Sequence, residues 1–222
     1  MKSTPLNLCI FCNNPADTRE HIPPKQLFKG KLDNNLMTVP SCINCNRSYQ
    51  SDEDFFRQFW VSMLMSKSSQ AKLLMDNELT RSIKRAPKLG WQMFKQMQLV
   101  DSYSRSGKYI GKFTLYHVSD RDIERINRVV EKIIKGLFYN KFNKIVPEDW
   151  IIKIQWITPE VEKDMSLIQL ADTLKWEVIK KDTFAYGFNF VPETYQSVWI
   201  LDFFKVPLFY VFVIDRETAR EK

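Results

Sequence analysis

All four cysteines of the chain fall in two C-x-x-C pairs, Cys9–Cys12 and Cys42–Cys45. Two such pairs can give four thiolates to one tetrahedral ion, the closed coordination of a structural Zn2+ site. Twenty-nine residues separate the pairs, so this loop must form structure of its own. Disulfides or a redox pair are the alternatives, and a reducing compartment favours the metal. Inside the loop and just behind it stand Glu20-His21, Asn35 and Asn46. Hydrolysis of a phosphodiester needs a base that is neutral near working pH, which imidazole provides. It needs a divalent cation on hard oxygen ligands, Mg2+ or Mn2+ on carboxylate and amide oxygens. It also needs a group to orient the imidazole, which an amide can do. Glu20, His21, Asn35 and Asn46 supply these parts. Four thiolates leave a metal no open position, so the chemistry falls to this second group.

These residues must be held by local elements. Residues 1–50 are rich in Pro, Asn, Asp and Ser and show little periodicity, so they form a loop-rich unit that a metal would stabilise. "DEDFFRQFWVSMLM" predicts a helix over about 53–66, capped by Ser51 or Asp52; Asp52, Glu53 and Asp54 could add a metal ligand, but first-turn acids complementing the helix dipole explain them adequately. Residues 69–99 read as one or two further helices, interrupted near Pro87 and Gly90. "GKYIGKFTLYHV" alternates as a strand, with Gly107 in the turn before it and His117 as a structural residue. "SDRDIERINRVVEKIIKGLFY" is an amphipathic helix capped by Ser119, with Ile123, Ile126, Val129, Val130, Ile133, Ile134 and Leu137 on its apolar face. Four strand-like runs follow: "WIIKIQWI", "FAYGFNFV", "VWILDFF" and "PLFYVFVI". Trp150, Trp156, Trp176 and Trp199 are expected in the core. The fold class is α+β: an N-terminal zinc-bound unit with helices, then a C-terminal α+β domain with a mainly antiparallel sheet. The expected units are residues 1–66, a basic helical connector over 67–104, and 105–222.

No run of eighteen or more uncharged apolar residues occurs, and the N-terminus lacks the apolar stretch of a signal peptide. These features predict a cytoplasmic protein with no membrane segment. Net charge is +7, placed unevenly. Residues 1–60 carry seven Lys/Arg against six Asp/Glu, 61–118 ten against three, and 119–222 sixteen against seventeen. Such clustering suits a polyanion, most often nucleic acid, although a solvated helical face gives the same pattern. Lys67, Lys72, Arg81, Lys84, Arg85 and Lys88, with Lys95, are the candidate phosphate contacts.

The pattern C-x-x-C, E-H-I-P-P, N-L-M-T-V-P-S-C-x-x-C-N, over roughly residues 8–60, resembles the HNH endonuclease family, whose site is a ββα-metal hairpin and helix. "HIPPKQLF" with "NNLMTVPSCINCN" is similar to a subgroup of bacterial HNH-like proteins. The resemblance implies a metal-ligand acid at Glu20, the general base at His21, a steadying amide at Asn35 and a final metal ligand at Asn46. This is an H-N-N variant, with Glu in place of the commoner Asp before the histidine. Asn34, adjacent to Asn35, could serve as the steadying amide instead. The resemblance further implies a role in restriction, mobile elements or phage defence, on DNA in preference to RNA.

Two other functions fit the same residues. One is a non-catalytic, zinc-stabilised module that grips nucleic acid or protein. The other is an interaction subunit whose C-terminal domain binds a protein partner or a second copy.

Overall fold

The computed structural model describes residues 8–28, 36–85, 87, 91, 95–158, 161 and 164–220, without the side chains of 78, 82, 83, 85 and 220. Its fold is α+β with antiparallel sheets. Strands β1 (Thr18–Ile22) and β2 (Met37–Ser41) form a two-stranded sheet, with Glu20 opposite Val39 and His21 opposite Thr38. The Ile22–Pro23 peptide is cis, and Pro24 precedes a 3-10 turn, Lys25–Leu27.

Helix α1 spans Ile43–Leu64, so the expected start near residue 53 is wrong by about three turns. The cap is Cys42, whose Sγ accepts from the Cys45 N–H at 3.4 Å. Asp52, Glu53 and Asp54 therefore sit mid-helix, where the helix dipole does not account for them. Helix α2 (Ser69–Leu74), capped by Ser68, runs through a π turn, Met75–Leu79, into α3 (Thr80–Arg85). Pro87, expected to interrupt, is helical; Gly90 lies outside the described residues.

Strands β3 (Met97–Tyr103) and β4 (Tyr109–Tyr116) pair as a separate hairpin. Gly107 in its turn has φ +79°, a conformation glycine adopts freely. The β3 segment was expected to be helical or a boundary. Helix α4 (Asp120–Phe142) has the capping box that its sequence predicts, Ser119 and Asp122 exchanging hydrogen bonds. Its apolar face is buried as expected, except that Ile123 is exposed.

The main sheet joins β5 (Ile151–Trp156), β6 (Lys175–Lys180), β7 (Phe184–Phe190), β8 (Ser197–Phe203) and β9 (Val206–Ile214) in the order β5-β9-β8-β7-β6. β6 had no sequence expectation. Helix α5 (Met165–Asp172) precedes β6, and α6 (Arg216–Arg220) follows β9. Alternation along the strands divides their side chains between two faces. On one face Phe56 of α1 meets Phe203 at 5.3 Å, and Trp60 meets both Phe209 and Trp156 at 5.6 Å. Phe142 of α4 meets Phe190 at 4.9 Å. On the other face Ile200 and Tyr210 pack with Leu174 against Leu167 and Ala171 of α5. Trp199 is fully buried, but Trp176 is 49% exposed, against expectation. The first face closes one buried cluster that takes in Ile10, Ile22 and Val39 together with α1, α4 and β7–β9. Residues on both sides of positions 66 and 104 thus share one core.

β1 sits so close to α4 that a side chain at Gly136 would collide with it. A Cβ there would stand 2.3 Å from Ile22 Cγ1 and 2.9 Å from Cγ2. Both atoms branch from Ile22 Cβ and cannot swing away. Gly136→Ala should therefore cost about 1–3 kcal/mol through overpacking, more than the ~1 kcal/mol that alanine returns in helix propensity. Urea unfolding of Gly136→Ala alone and combined with Ile22→Ala tests this, since the second change should recover part of the loss.

Candidate active site and metal centre

Cys9 and Cys12 lie on a tight turn in which Asn13 donates its N–H to the Cys9 carbonyl at 2.9 Å and adopts φ 59°. Cys42 and Cys45 form the first turn of α1. The chain brings the four Sγ atoms within 4.8 Å of one another, with Cys12 and Cys42 at 3.7 Å, and none forms a disulfide. Zinc–sulfur bonds of about 2.3 Å in a tetrahedron would place the sulfurs about 3.8 Å apart, so the four thiols can hold a metal ion of that kind. Their surroundings also shift their acidities in opposite directions. Burial works to raise the Cys9 thiol, but backbone hydrogen bonds from Cys42 and Phe11 bring it down to about 7. Burial pushes Cys45 up, and the neighbouring sulfurs push it further. Thiols this close do not all ionise together unless a positive charge lies among them.

Next to this centre lies a cavity of about 320 Å³ where β1 meets α1. Glu20, His21 and Asn46, three of the four expected catalytic residues, all line it. Asn35 and its alternate Asn34 lie outside the described residues. The convergence joins two neighbours on the strand with one face of the helix. Glu20 and His21 occupy successive positions of β1, while Asn46, Gln50 and Glu53 recur at i, i+4 and i+7 on one face of α1. Asn46 Nδ2 donates to the Arg19 carbonyl at 3.3 Å, tying the helix to the strand. Burial, then the charge of Lys25, holds the His21 imidazole below its ordinary 6.5, against the opposing pull of Glu20. It is therefore neutral at neutral pH, as a base must be.

Glu20 is buried, and its Oε1 accepts from the His21 N–H at 3.0 Å and from Lys132 Nζ at 3.1 Å. Lys132, on α4, is fully buried and also bonds Glu53. It is the last rung of a ladder. Arg125 donates to Asp52 at 2.8 Å, and Arg128 to Asp52 at 2.5 Å and to the Ser48 hydroxyl at 3.0 Å. The three acids misread as helix-start residues thus include two that bind α4. Sequence reasoning missed Lys132, Arg125 and Arg128. The available signal was their i, i+3, i+7 spacing, a cationic stripe beside the apolar face of α4.

The cations lining the cavity are Arg19, Lys25 and Arg47. Among the described residues, none of the expected phosphate contacts does so. Lys67, Lys72, Arg81, Lys84 and Lys95 are exposed elsewhere. Only the helical backbone of Arg85 is described, and Lys88 lies outside the described residues. His117 is exposed just beyond β4, and its N–H donates to the Gln96 carbonyl. No helix among the described residues is long and apolar enough to cross a membrane. Comparison with family models, curated proteins and solved structures finds no match to the chain.

Proposed function

We propose that the chain is a metal-dependent HNH-like endonuclease that hydrolyses phosphodiester bonds, most naturally in DNA. The observation that carries this reading is the convergence of Glu20, His21 and Asn46 on one cavity beside the Cys9–Cys12–Cys42–Cys45 centre. In this reading the cysteines hold Zn2+, which pins both ends of the segment bearing the catalytic residues. The antiparallel β1–β2 pair and the following α1 would then serve as the hairpin and helix of an HNH site. Glu20 and Asn46 would hold Mg2+ or Mn2+, since carboxylate and amide oxygens suit such ions. That ion supplies charge neutralisation for the phosphate and the leaving oxygen. Neutral His21 takes the proton from the attacking water. Asn35, outside the described residues, would be the amide that orients the imidazole. Arg19, Lys25 and Arg47 bind the phosphate groups that flank the scissile bond.

The test is incubation of supercoiled plasmid with the zinc-loaded protein and Mg2+ or Mn2+, beside His21→Ala and an EDTA control. His21→Ala should lower cleavage by about 10²–10⁴-fold, the usual worth of a general base, with folding unchanged. Equal cleavage by wild type and His21→Ala would sink the assignment of the base.

A second reading, a non-catalytic zinc-stabilised module, draws on Lys132. Its ammonium already bonds the carboxylate that should face a divalent ion. In that case no metal-dependent nicking occurs, while His21→Ala retains the fold and all nucleic-acid or protein binding.

A further inference from the structure

Unlike the β1–β2 pair, whose Ile22 and Val39 are buried, the β3–β4 hairpin leaves most of its apolar side chains exposed. Its base is anchored: Tyr116 packs on Phe59 of α1 at 5.1 Å, and Gln96 donates to Asp122 in the α4 capping box at 2.8 Å. Beyond the base it forms a sheet of only two strands. An isolated hairpin of that size is marginal in water, and a covered face normally stabilises it. Here large apolar side chains are exposed on both faces. The antiparallel register puts Leu99 opposite Thr114 on one face and Val100 opposite Phe113 on the other. Leu99 is 70% exposed, Phe113 52% and Leu115 55%. Near the tip the rings of Tyr103 and Tyr109 meet at 5.5 Å, and both remain more than half exposed.

Charge favours one kind of partner for this ribbon. Arg105, Lys108 and Lys112 are exposed on it against one acid, Asp101, which accepts from the Tyr109 hydroxyl at 3.3 Å. The hairpin closes the 61–118 stretch that carries the chain's positive excess. Two copies of such a tip repel one another, whereas a phosphate backbone attracts it. The major groove of B-form DNA admits a two-stranded ribbon, and the deep, narrow major groove of duplex RNA does not. Position agrees. Asn46 at the cavity and Phe59 at the hairpin base both lie on α1, thirteen residues apart, or about 20 Å along the helix. That is about six steps of 3.4 Å on a duplex.

We infer that the β3–β4 hairpin is a duplex-DNA docking element, which enters the major groove beside the cleavage site with Leu99, Tyr103 and Tyr109, which share one face, against base edges and Lys108 and Lys112 on phosphates. The inference rests on the nuclease reading for its choice of polymer, but its test does not depend on cleavage.

The test uses the full zinc-loaded chain carrying His21→Ala and a fluorescein-labelled 30-base-pair DNA duplex, with duplex RNA of the same sequence alongside. Affinity is read by anisotropy over a range of salt. Tyr103→Ala/Tyr109→Ala should weaken DNA binding at least tenfold. Lys108→Gln/Lys112→Gln should flatten the slope of log K against log salt by about 1.8, or about 0.9 for each phosphate no longer neutralised. Duplex RNA should bind more weakly. All four positions are exposed, so melting temperatures should match the parent and exclude misfolding as the cause. Unchanged DNA affinity in both variants overturns the inference, even if the plasmid assay shows cleavage. So does a variant effect confined to sedimentation, which would point to a second copy, or to vesicles of phosphatidylglycerol, which would point to a lipid surface. Hairpin-dependent DNA binding without metal-dependent cleavage would uphold the docking element and overturn the nuclease reading.

Discussion

Lys132→Met should destabilise the protein by about 3–5 kcal/mol at neutral pH, the cost of removing one partner from a buried ionic cluster. The reason is the company that Lys132 keeps. Its ammonium is fully buried between Glu20 of β1 and Glu53 of α1, with the Tyr49 ring 5.1 Å away. Methionine fills much the same volume but leaves two carboxylates facing each other with no cation between them. The loss should depend on pH, with a definite sign. Burial already holds the Glu53 carboxyl above its ordinary 4.5, outweighing the opposing pull of Lys132, while Glu20 and Asp54 add to the rise. A carboxyl raised in the folded state costs nothing below its unfolded pKa and costs more as pH climbs toward its folded pKa. Removing Lys132 widens that gap. The difference between variant and wild type in urea unfolding should therefore be small near pH 4 and full at pH 8. Lys132→Met/Glu53→Gln should recover part of it. A deficit of equal size at both pH values would mean that packing, and not charge, is what Lys132 supplies.

That cluster also shows where sequence reading stops. The cysteine spacing pointed to a group of four thiols that can hold a metal ion because ligand chemistry is local: two C-x-x-C pairs carry their meaning whatever surrounds them. Helix α4 was legible because its apolar period and its Ser119 cap agree. The start of α1 was not. "INCNRSYQSD" has no apolar period, and it is helical because Cys42 caps it and α4 answers its acids from more than seventy residues away. No local pattern encodes that partnership. The same blindness turned Glu53 into a helix-start acid and passed over Lys132. β3 was lost for a related reason: "MQLVDSY" is a strand only because β4 pairs with it. The Glu20, His21 and Asn46 grouping was legible by motif, and the fold adds Gln50, Glu53 and the cations Arg19, Lys25 and Arg47 to the same cavity.

The larger expected effect belongs to Cys12. A structural zinc ion contributes about 10–16 kcal/mol of apparent binding energy in small zinc-folded peptides at neutral pH, and here that energy would hold a turn, a hairpin and the first turn of α1 together. Most ligand substitutions confuse this with other losses. Cys42→Ser would alter a buried side chain, although serine would still cap α1. Cys9→Ser would alter the core directly. Cys12 is exposed, so serine there removes a ligand and almost no buried surface. An exposed, near-isosteric change elsewhere on a surface shifts stability by no more than about 0.5 kcal/mol. Cys12→Ser should instead lose the bound metal and lower stability by several kcal/mol. The loss should spread beyond the N-terminal segment, because Ile10 and Ile22 belong to the same buried cluster as α4 and the main sheet. Metal content by elemental analysis and thermal melting of wild type, Cys12→Ser and chelator-treated wild type decide the matter. Wild type should carry one equivalent of metal, and the other two samples should melt together at a lower temperature. Three coincident melting curves, with no metal in any sample, would show that the four thiols stand together without binding an ion and that packing alone holds the segment.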